Sequence, residues 1–597
     1  MKKKTVVLRN KCSPDTCNYR CINLCPVNMI GKKSSPKIVP KAIKLRGDSL
    51  FPTIVERHCI NCGVCVNACF RRAISVVNIP GEVETWSPVH EYIDSEFRLY
   101  GLPLLNKGLV TGIVGENGIG KSTLLNILAG RVRPNGGFQT PDSFDKFLDS
   151  LTTPGMARFL DDVSQGIIKV SIKEQSLDHM KHKAITVKEF FANIEIEDSE
   201  VMDILEVQNL LNKSLNQTSG GELQRIAITY AFMQPADVYL LDEPATYLDV
   251  KQRLALAKIF NLKQKAGRYI LVVEHDLSVL DYWSNLIHIL WGEPHVYGVV
   301  SRSLSVKKGL NSFLTGWLKD ENIHFRPRVI SFKRTVKERS IKLGSSVSWP
   351  SMTVRLGDFV LDVSEGSIFL GEIMVVVGEN GLGKTTFANL ISGKIPNIAK
   401  IPAVISYKPQ LISKDYDLDV SEFLQQTTRK YLNTKYWQLQ LLNPLGVTHF
   451  LKRNMQDLSG GENQRVFIAA CLARDADLYI LDEPSAFLDA LERTKIASVI
   501  RNQTKRNPTS AVISIEHDIQ LADFTGDRIM LFNGIPAKHG YVSEPLAKRE
   551  GMNSFLKSLD ITFRRDSETG RARINKTDSQ MDKTQKEIGE FYYSTLK

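Results

Sequence analysis

GENGIGKST runs from Gly115 to Thr123, and GENGLGKTT runs from Gly378 to Thr386. Both fit G-x-x-x-x-G-K-[ST], in which glycines let backbone N–H groups converge on phosphate oxygens at a helix N-terminus that already favours anions. Each stretch follows an apolar β-like run, LVTGIV or IMVVV, and precedes a helical pattern. Strand, loop and helix in that order are the context the motif requires. Gly115, Asn117, Gly118, Gly120, Lys121, Ser122 and Thr123 therefore form one candidate phosphate cradle. Gly378, Asn380, Gly381, Gly383, Lys384, Thr385 and Thr386 form a second. Lys121 and Lys384 are placed to reach the terminal phosphates of ATP, and Ser122 and Thr385 to offer a hydroxyl to Mg²⁺.

The repetition extends outward from these loops. SGGELQR at 219–225 returns as SGGENQR at 459–465, LLDEPATYLD at 240–249 as ILDEPSAFLD at 480–489, VEHD at 273–276 as IEHD at 515–518, and GLNSFL at 309–314 as GMNSFL at 551–556. These four pairs share nearly one offset, whereas the phosphate loops lie further apart. The chain thus contains one α/β domain twice, with extra residues behind the first phosphate loop. The excess lies mainly in 141–166. There Phe144, Phe147, Leu148 and Leu151 recur at helical steps, TTPG interrupts, and Met156, Phe159, Leu160 and Val163 resume the pattern. This predicts a helix–loop–helix insertion, a suitable interaction surface on a rigid scaffold.

VYLLDE and LYILDE end apolar strands in paired acids. Asp242 and Asp482 suit the Mg²⁺ shell. Glu243 and Glu483 are placed to orient or deprotonate an attacking water. As adenine platforms or equally as core, Tyr92 and Phe97 precede the first loop, and Trp349 and Phe359 precede the second.

The 597 residues carry a net charge of +12 and are 43% hydrophobic. Three or four domains with real cores are expected, and global disorder is excluded. The charge favours a polyanionic partner. No apolar run reaches the ~18 residues of a membrane span. The start, MKKKTVVLRNKC, lacks the apolar core of about 7–15 residues that a signal peptide needs. A cytoplasmic protein, with a nuclear pool, is expected. The stretch FKRTVKERSIKLGSS at 332–346 reads as a hinge, and the polar tail from 564 onward as partly disordered.

All cysteines except Cys471 lie at or before Cys69. In a reducing compartment such clustering means metal or redox chemistry. The first string holds Cys12, Cys17, Cys21 and Cys25; the second, CINCGVCVNAC, holds Cys59, Cys62, Cys65 and Cys69. The second follows bacterial ferredoxin spacing, in which the fourth cysteine serves the other cluster. The spacing predicts two [4Fe–4S] clusters, one on Cys12, Cys17, Cys21 and Cys69, the other on Cys59, Cys62, Cys65 and Cys25. Phe70 stands where a Pro is usual. Zinc is the weaker alternative, because its four cysteines usually come as two separated CxxC pairs. Cys471, in the helical AACLARDA, reads as plain core.

The SGGE motifs resemble the signature of ATP-binding cassette (ABC) ATPases. By that resemblance Gln175 and Gln410 are Q-loop glutamines, Asp249 and Asp489 D-loop aspartates, and His275 and His517 switch histidines. The family pairs its cassettes head to tail. Lys121 would then share a site with Ser459, Gly460, Gly461 and Glu462, and Lys384 with Ser219, Gly220, Gly221 and Glu222. Thr218 departs from the usual Leu, with little expected effect.

Both modules in one chain, with the insertion, resemble the ribosome-recycling RNase L inhibitor family, subfamily E of the ABC proteins. The resemblance covers about 1–560, including YGVVSRSLSVKKGLNSFLTGWLKDENIHFR at 297–326. It implies two tandem ABC-type P-loop ATPase domains (α/β) preceded by a ferredoxin-like α+β iron–sulfur domain. The expected boundaries are 1–80 for the cluster domain, 81–300 for the first cassette, 301–345 for a hinge, 346–545 for the second cassette, 546–565 for a second hinge segment and 566–597 for the tail. ATP would close the cassettes of a monomer with an internal pseudo-dimer, and closure would move the cluster domain into the intersubunit cleft. The implied partners are the ribosome (small subunit, rRNA and ribosomal proteins), a peptide release factor and initiation factors, with no membrane. A cluster-assembly or redox ATPase and a transporter energy module are the competing classes.

Overall fold

The structure is a computed structural model that describes residues 2–9, 12, 14–30, 41–45, 50–71, 73–79, 86–92, 97–138, 140–192, 199–327, 329–332, 346–395, 401–410, 412, 416–430 and 434–592. The chain divides into two compact units. One comprises Met1–Leu104, Gly115–Ile168 and Ile289–Arg302; the other comprises Leu105–Val114, Lys169–His288 and Ser303–Lys597.

In the first unit, strand Lys2–Val7 pairs antiparallel with Ile74–Ile79. Between them in sequence lie the short helices Pro14–Cys17, Arg20–Asn23, Pro26–Ile30 and Val64–Ala68, and the hairpin Ile43–Leu45 with Pro52–Ile54. Cys21, Cys25 and Cys65 form the core with Ala42, Ile43, Ile54 and Ile74. So few apolar side chains give a module of this size little hydrophobic stabilisation. Asn28 stitches it internally, donating to Ile43 O (2.6 Å) and accepting from Ala42 N–H (2.8 Å).

The same unit holds the phosphate-loop helix Lys121–Leu128 and the expected insertion, as helices Ser143–Ser150 and Pro154–Ser164. Phe147, Phe159 and Leu160 are its buried face. Pro154 opens the second helix, where a missing N–H costs nothing. TTPG therefore ends one helix and starts the next.

The second unit carries four adjacent parallel strands of the first cassette, Val170–Lys173, Val238–Asp242, Tyr269–Val273 and Val110–Gly115. The second cassette forms one sheet in the order Met352–Leu356, Phe359–Val363, His539–Val542, Arg528–Ile535, Ile373–Gly378, Ala511–Ile515, Leu478–Asp482, Ile405–Lys408. Its last five strands are parallel. Ile373–Gly378 is buried along its whole length, as a parallel strand covered on both faces must be. Parallel strands end on one edge, so the phosphate loop, the acids after Leu481, the segment after Ile515 and the loop after Lys408 all leave the sheet on the same side.

The tail departs from expectation. Residues 566–592 are folded: Phe563–Arg565 pairs with Ala572–Ile574, helix Gln580–Glu587 follows, and Phe591 and Tyr592 join a core that includes Val250, Val375 and Ile519. The polar composition misled because the polar groups are buried with partners. Asn575 Nδ2 donates to Gln585 Oε1 (2.6 Å), Thr562 Oγ1 to Asp582 Oδ1 (2.6 Å), and Arg571 to Asp281 Oδ2 (3.0 Å). The stretches read as hinges are also structured where described. Residues 301–345 contain helix Val306–Thr315 and the hairpin Trp317–Leu318 with Ile323–His324, and 546–565 contain helix Lys548–Ser558. Residues 333–345 of FKRTVKERSIKLGSS lie outside the described residues.

Candidate functional site

At the second phosphate loop, Gly383 caps helix Lys384–Ile391 with φ +91°, and a Cβ there would meet the Phe359 ring at 2.9 Å. Only glycine suits both demands. Lys384 is buried and donates to Gly378 O (2.8 Å) and Glu379 O (2.7 Å). Burial lowers its pKa to about 8 against the pull of Asp249, Glu483 and Asp482, and its hydrogen bonds go to two carbonyls that a phosphate could replace. Asp482 fits a cation: its Oδ1 is buried without a hydrogen-bond partner, and burial, then the Glu483 charge, raises its pKa to about 6 against the Thr385 hydroxyl. Thr385 and Asp482 are thus neighbours, as Mg²⁺ ligands must be.

Glu483 has φ +47° and receives Gln410 Nε2 (2.7 Å) and His517 Nε2 (2.9 Å) on the same oxygen, Oε1. Burial would raise its pKa, but the His517 ring and Lys384 outweigh it and hold it at about 2. Burial and Lys384 lower His517 in turn. His517 Nε2 and the nearby Lys384 ammonium both favour the ionised carboxylate of Glu483 over burial. Neither the Gln410 nor the His517 hydrogen bond engages Oε2.

The first cassette repeats this geometry. Gln175 Nε2 donates to Glu243 Oε1 (2.8 Å), and His275 Nε2 lies 3.2 Å from the same atom. Glu243 again has φ +47°. In the first unit Lys121 donates to Gly115 O (3.0 Å), Glu116 O (3.1 Å) and Asn117 Oδ1 (3.3 Å).

Each SGGE motif is a helix N-terminus held by a capping box. Ser219 Oγ accepts from Glu222 N–H (3.3 Å) and Glu222 Oε2 from Ser219 N–H (2.7 Å); Ser459 and Glu462 do the same (3.2 and 3.0 Å). The motif glutamates therefore build the cap, while Gly220, Gly221, Gly460 and Gly461 leave first-turn N–H groups open to an anion. Thr218 is buried, and its hydroxyl donates to Leu215 O (2.7 Å), which explains why it is tolerated in place of Leu.

The cassettes meet head to tail at the second phosphate loop. Asn380 N–H donates to Asp249 Oδ2 (2.8 Å), Asn380 Nδ2 donates to Tyr247 O (3.0 Å), and a Cβ on Gly221 would lie 3.5 Å from Asn380 Nδ2. Lys251 pairs with Glu379 at 3.3 Å. Asp489 caps helix Ala490–Arg506 in the second cassette as Asp249 caps Val250–Lys265 in the first.

The aromatics divide differently. Phe97 is buried, with its Cζ 2.5 Å from a Cβ placed on Gly120, so it backs the phosphate loop as Phe359 does. Tyr92 is half-buried, edge-on to His90 at 4.5 Å. Trp349 is core beside Phe387. Cys471 is buried core, as expected.

Sequence reasoning missed three recurring pairs. Lys173 and Lys408, buried, donate to the carbonyls of Asp242 (2.9 Å) and Asp482 (2.7 Å). Glu274 accepts from Ala245 N–H (2.5 Å) and His275 N–H (2.9 Å), and Glu516 accepts from Ser485 Oγ (2.6 Å). Arg253 and Arg493 pair with Asp276 (2.7 Å) and Asp518 (3.2 Å). Each recurs beside a motif at matching spacing, and that was the available signal.

Cys12, Cys17, Cys21 and Cys69 line one recess. Burial, then the sulfurs of Cys17 and Cys69, pushes Cys12 up to about 11. Cys21 rises likewise through burial and the sulfurs of Cys17, Cys12 and Cys69. Cys65 rises to about 11 through burial and the sulfurs of Cys59, Cys62 and Cys25. The sulfurs acting on Cys12, Cys21 and Cys65 all belong to that thiol's expected quartet, and a cationic centre would relieve the crowding. Ala73 N–H donates to Cys69 Sγ at 3.3 Å. Among the described residues no three such side chains are drawn tight enough for a single ion. The donor set and its segregation fit two clusters.

Tandem phosphate loops, capped signatures and a D-loop aspartate on the opposite loop define an ABC protein with two cassettes, an ATPase. The ABC transporter family model matches residues 104–246 and 361–486. Translation initiation factor RLI1 of Saccharomyces cerevisiae is 38% identical over 98% of both chains. A model of ribosome-bound archaeal Pelota and ABCE1 aligns with TM-score 0.91 and 40% identity over 99% of both chains. An archaeal ribosome recycling factor, in complex with ribosomal stalk protein aP1, aligns with TM-score 0.78 and 41% identity over 85% of this chain and 99% of that one. The chain belongs to the RNase L inhibitor family, the E subfamily of ABC proteins. Among the described residues no helix is long and apolar enough to cross a membrane.

Proposed function

We propose that this chain is an ATP-driven ribosome-recycling factor that separates ribosomal subunits after termination and prepares the small subunit for re-initiation. The observation that carries this reading is the joint presence of a head-to-tail cassette contact, Asp249 on Asn380, and two segregated cysteine quartets, in a chain similar end to end to ribosome-bound relatives.

ATP at the second loop would draw Lys384 off the Gly378 and Glu379 carbonyls and onto the terminal phosphates. Thr385 and Asp482 would hold Mg²⁺, and the capped N-terminus at Ser219 would close on the far side of the nucleotide. Binding would thus tighten the two cassettes. Glu483, kept ionised and aimed by Gln410 and His517, would orient the attacking water; Glu243, Gln175 and His275 would do the same in the first cassette. Hydrolysis would remove the phosphate that joins the two halves.

Cys12, Cys17, Cys21 and Cys69 would hold one [4Fe–4S] cluster, and Cys59, Cys62, Cys65 and Cys25 the other. When bound, each cluster supplies a four-way cross-link to a module with a very small core. The +12 charge suits contacts with rRNA phosphates and ribosomal proteins of the small subunit. A peptide release factor, initiation factors and a cytoplasmic setting complete the reading. Incubated with 70S- or 80S-type ribosomes, a release factor and ATP, the chain is expected to increase free subunits in a density gradient, and Lys384→Ala is expected to abolish the increase. An unchanged profile with the parent chain overturns the assignment.

A further inference from the structure

Lys173 and Lys408 end the strands Val170–Lys173 and Ile405–Lys408, each paired with the strand that carries the two acids. They sit level with Leu241 and Leu481, so a long side chain running along the sheet reaches the next two residues. Lys173 Nζ donates to the carbonyls of Asp242 (2.9 Å) and Glu243 (3.3 Å), and Lys408 Nζ to those of Asp482 (2.7 Å) and Glu483 (3.4 Å). Both lysines are nearly inaccessible, at 2% and 1% exposure. An ammonium is costly to bury unless it is paired and hydrogen-bonded. The charges of Asp242, Glu274 and Glu243 attract the first, and those of Asp482, Glu483 and Glu516 the second.

The carbonyls they grip decide where each glutamate points. Glu243 and Glu483 hold φ +47°, and that angle sets the peptide plane joining each to the aspartate before it. In the second cassette one edge of this plane is the Asp482 carbonyl, held by Lys408. The other edge is the Glu483 N–H, which donates to Ile515 O (3.1 Å). In the first cassette Lys173 holds the Asp242 carbonyl, and the Glu243 N–H donates to Val273 O (2.9 Å). The plane after each glutamate is held by the same ammonium and by a glutamine, Gln224 Nε2 at 3.0 Å or Gln464 Nε2 at 2.6 Å. One lysine thus ties both planes that flank the glutamate Cα. Without it, the first plane would rotate out of a region that non-glycine residues disfavour. The carboxylate would then turn away from Gln175 and His275, or from Gln410 and His517. Lysine suits the task because three N–H donors on one atom serve two carbonyls at once.

We propose that Lys173 and Lys408 are positioning residues for ATP hydrolysis: each locks the two peptide planes that flank the catalytic glutamate and so aims its carboxylate. The inference rests on the reading of Glu243 and Glu483 as the groups that orient the attacking water. The paired variant E243Q/E483Q tests that reading separately.

The measurement is ATP turnover and equilibrium ATP binding by the full-length K173M/K408M chain, without ribosomes. Methionine keeps the length of the side chain and removes its donors. Turnover is expected to fall at least about 30-fold, the scale of loss when a reacting group is misplaced by about an ångström. ATP affinity is expected to stay within about twofold of the parent, since the loss lies in the transition state. E243Q/E483Q is expected to show the same split. Should K173M/K408M fail to fold by circular dichroism, Lys408→Met is read in the Glu243→Gln background, where the second site supplies the turnover. The same loss at unchanged affinity is expected there. Parental turnover in the lysine variants beside an inactive E243Q/E483Q overturns the proposal alone. Affinity lost together with turnover, as a purely structural role would give, also overturns it. Turnover retained by E243Q/E483Q overturns the glutamate reading and the proposal with it.

Discussion

Glu243 and Glu483 both hold φ +47°, a left-handed backbone that costs a non-glycine residue roughly 1–3 kcal/mol. At Glu243 the cost is met by Lys173 and Gln224 on its carbonyl (3.3 and 3.0 Å), Val273 O on its N–H (2.9 Å), and Glu274 on Ala245 N–H. Lys173 and Glu274 are buried charges, Glu516 is the counterpart of Glu274 in the second cassette, and such groups leave a pH signature. Burial raises Glu516 from 4.5 to about 8. The folded chain therefore binds more protons than the unfolded chain between those values. The contribution is fully present below pH 4.5 and is lost as pH rises through 8. Glu516→Gln removes it. The denaturation midpoint of the parent relative to E516Q is expected to fall between pH 5.5 and 8.5; a constant difference contradicts this. The motif residues were readable because phosphate, Mg²⁺ and water dictate their types. Lys173, Glu274 and Arg253 were not, because a charged residue in a sequence carries no mark of burial and reads as solvated surface.

Among elements, the parallel strands and both phosphate-loop helices follow from apolar runs and glycine placement, and the insertion helices from their period. The C-terminal hairpin did not follow. Arg571, fully buried, and Arg573 grip Asp281 on helix Leu277–Trp283, with Arg573 Nε at 2.7 Å and Nη2 at 2.9 Å. Tyr592 and Lys548 both bond Asp523. A polar tail with these partners is a clamp, and Asp281 lies 290 residues upstream of Arg571, beyond any local pattern. Asp281→Ala strands two cations and is expected to cost about 3–5 kcal/mol. Hydrogen exchange across 563–574 should rise with it. Unchanged protection of that segment contradicts the clamp.

Across the whole molecule, repetition was the strongest signal: two cassettes implied each other, and the signature implied the opposite phosphate loop. At the second phosphate loop the contact seen is Asn380 N–H on Asp249 of the first cassette. The cysteine spacing implied a cross-over of ligands; the sulfurs of Cys17 and Cys69 act on Cys12, and those of Cys59, Cys62 and Cys25 on Cys65. The account joins these two modules in one task, and each should be dispensable for the other's chemistry but not for the task. The most direct measurement is subunit release by Cys65→Ser in a density gradient with ribosomes, release factor and ATP, beside its iron and sulfide content and its ATP binding. The account predicts lowered iron and sulfide, ATP binding equal to the parent, and no release of subunits. Release at the parental level by a protein that has lost cluster iron would contradict it.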